Sequence, residues 1–339
     1  MAEQKSDLSR AFSEDGALKT HVGGQALIEG IMMRGPKRTE ISVRMPDGTI
    51  SSETLETDGL GKKYKIFRLP IFRGIAAFID SLSTGFKALN ISAEKSGMAE
   101  EEGEPSKFDQ WMERVFGDKL MNAIMAVGTV LGLLLAIVLF FFLPTWLFNV
   151  CEQYLFGTGI EAWRSIIEGA MRIGIFVAYI AIVAHMSEIK RVFEYHGAEH
   201  KTIFCYENEE ELTVENVRHH SRFHPRCGTS FMIIMLLLGV IIGFFIPFTN
   251  PILRTLVKLL CIPVVVGIGY ELIRICGRYD NLATRIISAP GLWMQRLTVK
   301  EPDDSMIEVA IEAMKAVIPE DGTDLQCPLQ AKQPKEKTA

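Results

Sequence analysis

The chain has 339 residues, 48% of them hydrophobic, with a mean hydropathy of +0.18 and a formal net charge of −5. That length allows one to three domains, the hydropathy is high for a wholly soluble protein, and the acidic balance gives no reason to expect nucleic acid as a partner. Six cysteines, Cys151, Cys205, Cys227, Cys261, Cys276 and Cys327, are scattered without a paired framework, so they do not read as a disulfide scaffold.

Residues 1–20 are polar, carry both charge signs and contain no apolar core, which predicts a disordered N-terminus without a signal peptide. Residues 21–93 read as a small sheet followed by an amphipathic helix. Within them, Val22–Gly35 is apolar and punctuated by glycine, with Glu29 and Arg34 as its charges. The plain expectation is one buried strand packed closely at its glycines; the functional one is that Gln25, Glu29 or Arg34 reaches a site. Thr39–Glu53 alternates around Pro46-Asp47-Gly48 and predicts a β-hairpin. Ile71, Ile75, Phe78, Ile79, Leu82, Phe86 and Leu89 then recur at helical spacing. Residues 94–119 are acidic at first and predict a flexible linker and lead-in.

Four segments read as membrane spans. Residues 120–148 carry no charge and are long enough to cross the hydrocarbon core. Residues 165–186 are apolar apart from Glu168 and Arg172, whose i, i+4 spacing suggests a neutralising pair. Residues 229–248 form the third span, ended by the Pro247–Pro251 turn, and residues 252–276 the fourth. Lys and Arg number six from Ser187 to Arg226, one from Asn149 to Arg164 and none from Thr249 to Leu253. This bias places the third segment and both termini in the cytoplasm of a multi-pass plasma-membrane protein. Residues 277–319 complete the cytoplasmic part, with a helix opened by Pro302-Asp303-Asp304 whose apolar face includes Ile307, Ile311 and Met314. Residues 320–339 read as a disordered tail.

The chemistry is concentrated in residues 187–228. Six of seven histidines lie between His185 and His224. His196 and His200 are spaced i, i+4 with Glu199 beside them, the H-x-x-E-H order of an inverted zincin motif, although Gly197 weakens the helix that such a geometry needs. His220, His224 and Cys227 follow, and His224-Pro225-Arg226-Cys227 has a ligand-like spacing closed by proline. Imidazole and thiolate point to a divalent metal, zinc by ligand type. The bland alternative is that these side chains cap helix ends and bind carboxylates near the headgroups.

The strings Gly23–Arg34, Tyr195–Lys201, Thr213–Val217, His220–Ser230, Pro290–Trp293 and Glu301–Asp304 resemble one family, the YqhQ-like bacterial membrane proteins, a domain of unknown function described as predicted metal-dependent enzymes. The resemblance runs from about Val22 to about Ala316 and adds weight to His196, Glu199, His200, His220, His224 and Cys227. The expectation is therefore a membrane α-helical protein of about four transmembrane helices. Its α+β cytoplasmic domain is built from the N-terminal part, the central His-rich loop and the C-terminal part. The expected function is a metal-dependent hydrolase with Glu199 as the catalytic base and metal ligands among His196, His200, His220, His224 and Cys227. The competing class is a non-catalytic scaffold with a structural zinc site that meets other membrane proteins.

Overall fold

A computed structural model describes residues 11, 18–56, 59–97, 127–279, 281–319 and 324. The expected disordered ends, most of the acidic linker and the start of the first span lie outside the described residues. The chain divides into two compact units, one of residues 1–97, 180–235 and 263–339, the other of residues 98–179 and 236–262.

The first unit holds a four-stranded antiparallel sheet in sequential order, β1 (Gly23–Leu27), β2 (Gly30–Arg34), β3 (Thr39–Arg44) and β4 (Ile50–Leu55). The expected 39–53 hairpin forms with Ile41 opposite Glu53 and Val43 opposite Ser51. Its turn places Gly48 at φ +85°, a backbone conformation that costs an L side chain but not glycine. Asp47 accepts the Thr49 amide across that turn at 2.9 Å. The segment read as one buried strand is instead a second hairpin. Gly23 faces Arg34 and Gln25 faces Met32, and the reversal at Ile28-Glu29 holds Glu29 at φ +48°. A continuous apolar run conceals a reversal made without proline, asparagine or a central glycine.

Helix α1 (Phe72–Lys95) follows the sheet as expected, but it buries the small residues Gly74, Ala76, Gly85 and Ala88, while Ile71, Ile79, Leu82 and Phe86 of the expected apolar face are exposed. Residues 187–228, expected as a His-rich loop, are largely helical: α4 (Ser187–Glu207) carries Tyr195 to Lys201, and α5 (Val214–His219) is capped by Thr213. Gly197 does not break α4 because its missing side chain is needed there. A Cβ at this position would lie 2.0 Å from the Lys300 carbonyl oxygen. Helix α8 (Leu282–Thr298) starts with a reciprocal capping box between Asn281 and Thr284. Helix α9 (Asp304–Val317) starts with Asp303 accepting the Met306 amide at 3.0 Å. The α9 face Met306, Ile307, Ala310, Ile311, Met314 and Val317 is buried against β2, α4 and α5 residues Ile31, Met33, Tyr195, Ile203 and Val217. Each fully buried large apolar side chain here contributes about 1.5–3 kcal/mol, which fixes α4 between the sheet and α9.

Among the described residues three helices are long and apolar enough to cross a membrane: α2 (Val127–Leu155), the segment Gly159–Val183 that contains α3 (Arg164–Val183), and Pro251–Cys276 within α7 (Pro251–Arg278). The fourth expected span is the shorter apolar helix α6 (Gly228–Gly243). At about 1.5 Å per residue its 16 residues extend about 24 Å, less than the roughly 30 Å of a hydrocarbon core.

In the second unit the expected Glu168–Arg172 pair is not what forms. Glu168 is met by Arg254 at 3.0 Å and Lys258 at 2.5 Å, with Arg164 3.7 Å away. Arg172 donates its Nε to the Phe140 carbonyl at 2.8 Å and lies over the Phe141 ring. Phe140 sits in a π-helical turn, Val138–Phe142, where the ordinary i to i−4 ladder is displaced and a carbonyl can take an outside donor. Arg172 at i+4 and Arg164 at i−4 were equally near in sequence; tertiary packing brought closer cations from α7.

Candidate functional site

Helix α4 places His196 and His200 on one face, their ring centroids 4.4 Å apart. Cys227, at the entry to α6, brings its Sγ to 3.1 Å from His196 Nε2. The ligand atoms of His196, His200 and Cys227 all lie within 4.8 Å of one another.

The other nitrogen of each ring fixes how these residues can act. His196 Nδ1 is 3.1 Å from the Thr298 carbonyl and His200 Nδ1 is 2.5 Å from the Arg222 carbonyl. A carbonyl only accepts, so in both rings Nδ1 carries the proton. Both Nε2 lone pairs then face the thiol, the second-shell arrangement that orients histidines as metal ligands. His200 Nε2 is buried with no hydrogen-bond partner among the described residues. Burial pushes the His200 imidazole down to about 4, which keeps the ring neutral and its lone pair available near neutral pH. Burial raises the Cys227 thiol, but its coupling to the adjacent His200 and the hydrogen bonds from Thr229 outweigh it and hold the thiol below its ordinary value.

Glu199 lies on the same stretch of α4 and is 5% exposed. Its Oε1 accepts the Gly24 amide at 3.1 Å, and its Oε2 is buried without a partner. Gly24 is required by that contact, since a Cβ there would come within 2.8 Å of the carboxyl carbon. Desolvation pushes the Glu199 carboxyl up to about 7. A cavity of about 390 Å³ adjoins these groups, walled by Gln25, Arg34, Glu199, His200, Arg226 and Cys227 among others.

The five sequence-predicted ligands therefore divide. His196, His200 and Cys227 converge. His224 stands beside His200, with 5.4 Å between ring centroids, but its Nδ1 accepts the Arg226 amide at 3.3 Å and its Nε2 lies 3.9 Å from Glu207. His220 is elsewhere, with its Nε2 3.3 Å from Glu210 in a second group that includes Cys205. The ligand-like spacing from His224 to Cys227 thus reflects a turn whose two ends serve different partners. Of the glycine-rich hairpin candidates, Gln25 and Arg34 reach the cavity, whereas Glu29 binds Arg191 and Tyr195.

Several contributors were not legible in the sequence. Gln295 is fully buried and grips the backbone of His224 in both directions, accepting its amide at 2.9 Å and donating to its carbonyl at 2.8 Å. The Thr298 and Arg222 carbonyls that set the histidine tautomers are backbone groups and leave no residue-type signal.

The fold and site together define a mostly helical protein in which a small antiparallel sheet and two packed helices hold a His-His-Cys cluster, joined in one chain to apolar helices of membrane-crossing length. The chain belongs to the family described as "Protein of unknown function (DUF1385)", whose model matches residues 69–320. It is similar to "Uncharacterized protein YqhQ" of Bacillus subtilis (strain 168), at 34% identity over 298 residues, covering 87% of this chain and 92% of that protein. No solved structure matches it.

Proposed function

We propose that this protein is a multi-pass membrane protein that binds a divalent metal, zinc by ligand type, through His196, His200 and Cys227, and that it acts as a metal-dependent hydrolase. The observation that carries the metal reading is the convergence of two carbonyl-fixed imidazole lone pairs on one thiol, in a buried place where His200 Nε2 otherwise has no partner. Burying polar atoms without partners costs about 1–3 kcal/mol each, and a cation at this point would satisfy them. Three ligands beside a cavity leave a fourth position open, the pattern of catalytic rather than structural zinc. The engagement of His224 with Arg226 and Glu207 favours this reading over a closed four-ligand site that would serve a scaffold.

When bound, zinc would supply an acidified water and polarise the susceptible bond. Glu199 is the group that takes the proton, and its raised value near 7 suits it both to accept that proton and to return it to the leaving group. The Gly24 amide holds the carboxylate by one oxygen and leaves the other directed at the reaction.

The membrane reading rests on the three long apolar helices and the Lys and Arg bias. On this reading the chain crosses four times, α6 being accommodated by little tilt and a locally thinner bilayer, and the cluster and both termini are cytoplasmic.

Glu199→Gln tests the mechanism, because a general base is not a ligand in this scheme. The variant should fold and keep wild-type zinc stoichiometry yet fail to complement a deletion strain. Full complementation by a stable, zinc-loaded Glu199→Gln protein would leave the scaffold class in its place.

A further inference from the structure

The cavity beside the cluster has a wall that the chemistry at Glu199 does not use. Gly23, Gln25, Met32 and Arg34 are two cross-strand pairs of the β1–β2 hairpin, Gly23 opposite Arg34 and Gln25 opposite Met32. Residues two apart in a strand share a face, so all four lie on one side of the hairpin, and all four line the cavity. Space is open at Gly23, where a Cβ would meet nothing within 4 Å. The wall opposite Arg34 is therefore open at Gly23.

Arg34 differs from the other arginine of this wall. Arg226 is bound to the fully buried Glu207 carboxylate and reaches the Thr20 carbonyl at 3.3 Å. The Arg34 side chain is exposed at the end of β2 and has no hydrogen-bond or ion-pair partner among the described residues. The same cavity is lined by Glu199 and His200, residues 5% and 1% exposed, whose Oε2 and Nε2 are buried without a hydrogen-bond partner among the described residues. An open cation at the mouth and a metal-ligand group at the floor give the cavity two points of attachment for an anion. A guanidinium presents a planar fork that matches oxyanions in bidentate fashion, and a concave wall focuses its field.

We infer that the substrate carries a phosphate group and that Arg34 binds its oxygens at the cavity mouth, placing the bond to be cleaved over His196, His200 and Cys227. This rests on the hydrolase reading of the same cluster and adds its substrate class. Arg34 is a positioning and specificity residue, and Gln25 stands beside it as a second donor. The phosphate can belong to a soluble ester or to a lipid headgroup, which share this chemistry.

The test uses full-length protein in detergent, with zinc content measured by elemental analysis, titrated calorimetrically with inorganic phosphate. Arg34→Gln should weaken phosphate binding about tenfold or more at unchanged zinc content, the scale of losing a charge-assisted pair, and Arg34→Lys should recover part of it. Equal affinity in wild type and Arg34→Gln, or no phosphate binding by the wild type, overturns the inference. A wild type that holds no zinc but still loses phosphate affinity on Arg34→Gln removes the metal reading and keeps the anion site. Competition by nanodiscs containing phosphatidic acid assigns a lipid phosphate; competition by phenyl phosphate alone assigns a soluble one. Competition by neither also overturns the inference.

Discussion

Lys258 places its ammonium 2.5 Å from Glu168 and 2.9 Å from the Thr145 hydroxyl, and Arg254 approaches the same carboxylate at 3.0 Å. One carboxylate thus serves two cations, and the three residues are 2–6% exposed among apolar helices. Arg254 also donates to the Gly243, Ile246 and Phe248 carbonyls at the end of α6 and in the turn after it, the first of which also accepts the Ile246 amide at 3.3 Å. The charge network therefore ties α3, α7 and the end of α6.

Removing that carboxylate should be far more costly than removing Arg172. Glu168→Ala leaves two buried cations without their counter-charge and should lose about 3–5 kcal/mol, read as a large drop in detergent melting temperature or folded yield. Glu168→Ala combined with Lys258→Ala should be less damaging than the sum of the two. Glu168→Ala combined with Arg172→Ala should come closer to additive, because Arg172 binds the Phe140 carbonyl instead. The reverse ordering would restore the i, i+4 pair.

Zinc content should separate the five candidate ligands. His196→Ala, His200→Ala and Cys227→Ala should each lose most of the bound metal. His220→Ala should retain it, since that ring meets Glu210 in another group. Metal loss in His220→Ala with full retention in His200→Ala would reject the cluster.

Gly197→Ala should destabilise the protein by about 3 kcal/mol, the upper range for overpacking, because its methyl would run into the Lys300 carbonyl and push residues 298–300 off α4. The same displacement moves the Thr298 carbonyl away from His196, so zinc affinity should fall with stability. A Gly197→Ala protein with wild-type melting temperature would contradict the close approach.

Glu301 gives a pH dependence of known sign. Burial pushes its carboxyl up, but hydrogen bonds and charge from Lys201 and Arg222 outweigh this and hold it below its ordinary value of 4.5. A carboxylate with a depressed native value contributes stability above its unfolded value, and that contribution is lost as pH falls through the native one. Melting temperature should therefore decline below about pH 4.5 by more in wild type than in Glu301→Gln. Parallel curves would mean that the Glu301 contacts are not made.

Orientation can be read with cysteines introduced near Gly157 and near Glu210. An impermeant thiol reagent should label the first in intact cells and leave the second unlabelled. Labelling at 210 would move the cluster outside the cytoplasm.

How much the sequence revealed follows from the range of each signal. The hairpin at residues 39–53, the helix α1 and the face of α9 were legible because strand and helix periodicities are local, and Pro46-Asp47-Gly48 and Pro302-Asp303-Asp304 mark the ends of the hairpin and α9. Which side of α1 packs was not legible, because it buries small residues such as Gly85 and Ala88 and exposes Leu82 and Phe86. The β1–β2 reversal was missed because its turn residues, Ile28 and Glu29, are ordinary core and surface types. His196, Glu199, His200 and Cys227 stood out by chemical type, and their spacing put the first three on one helix. Type alone could not sort His220 and His224, whose partners lie across the fold in Glu210, Arg226 and Glu207. Gly197 was misjudged for the same reason: its helix penalty of about 1 kcal/mol is local, whereas the carbonyl it admits comes from about a hundred residues downstream.

That long reach also imposes an order on assembly. Gly24, the α4 histidines, Cys227 and the Thr298 carbonyl leave the ribosome in that sequence, and the last of them fixes the proton on His196. A nascent chain halted before residue 298 already contains both histidines and the cysteine, yet lacks the carbonyl that fixes the proton on the first imidazole. The arrangement of the three side chains is thereby completed only after translation has passed the apolar helices among the described residues.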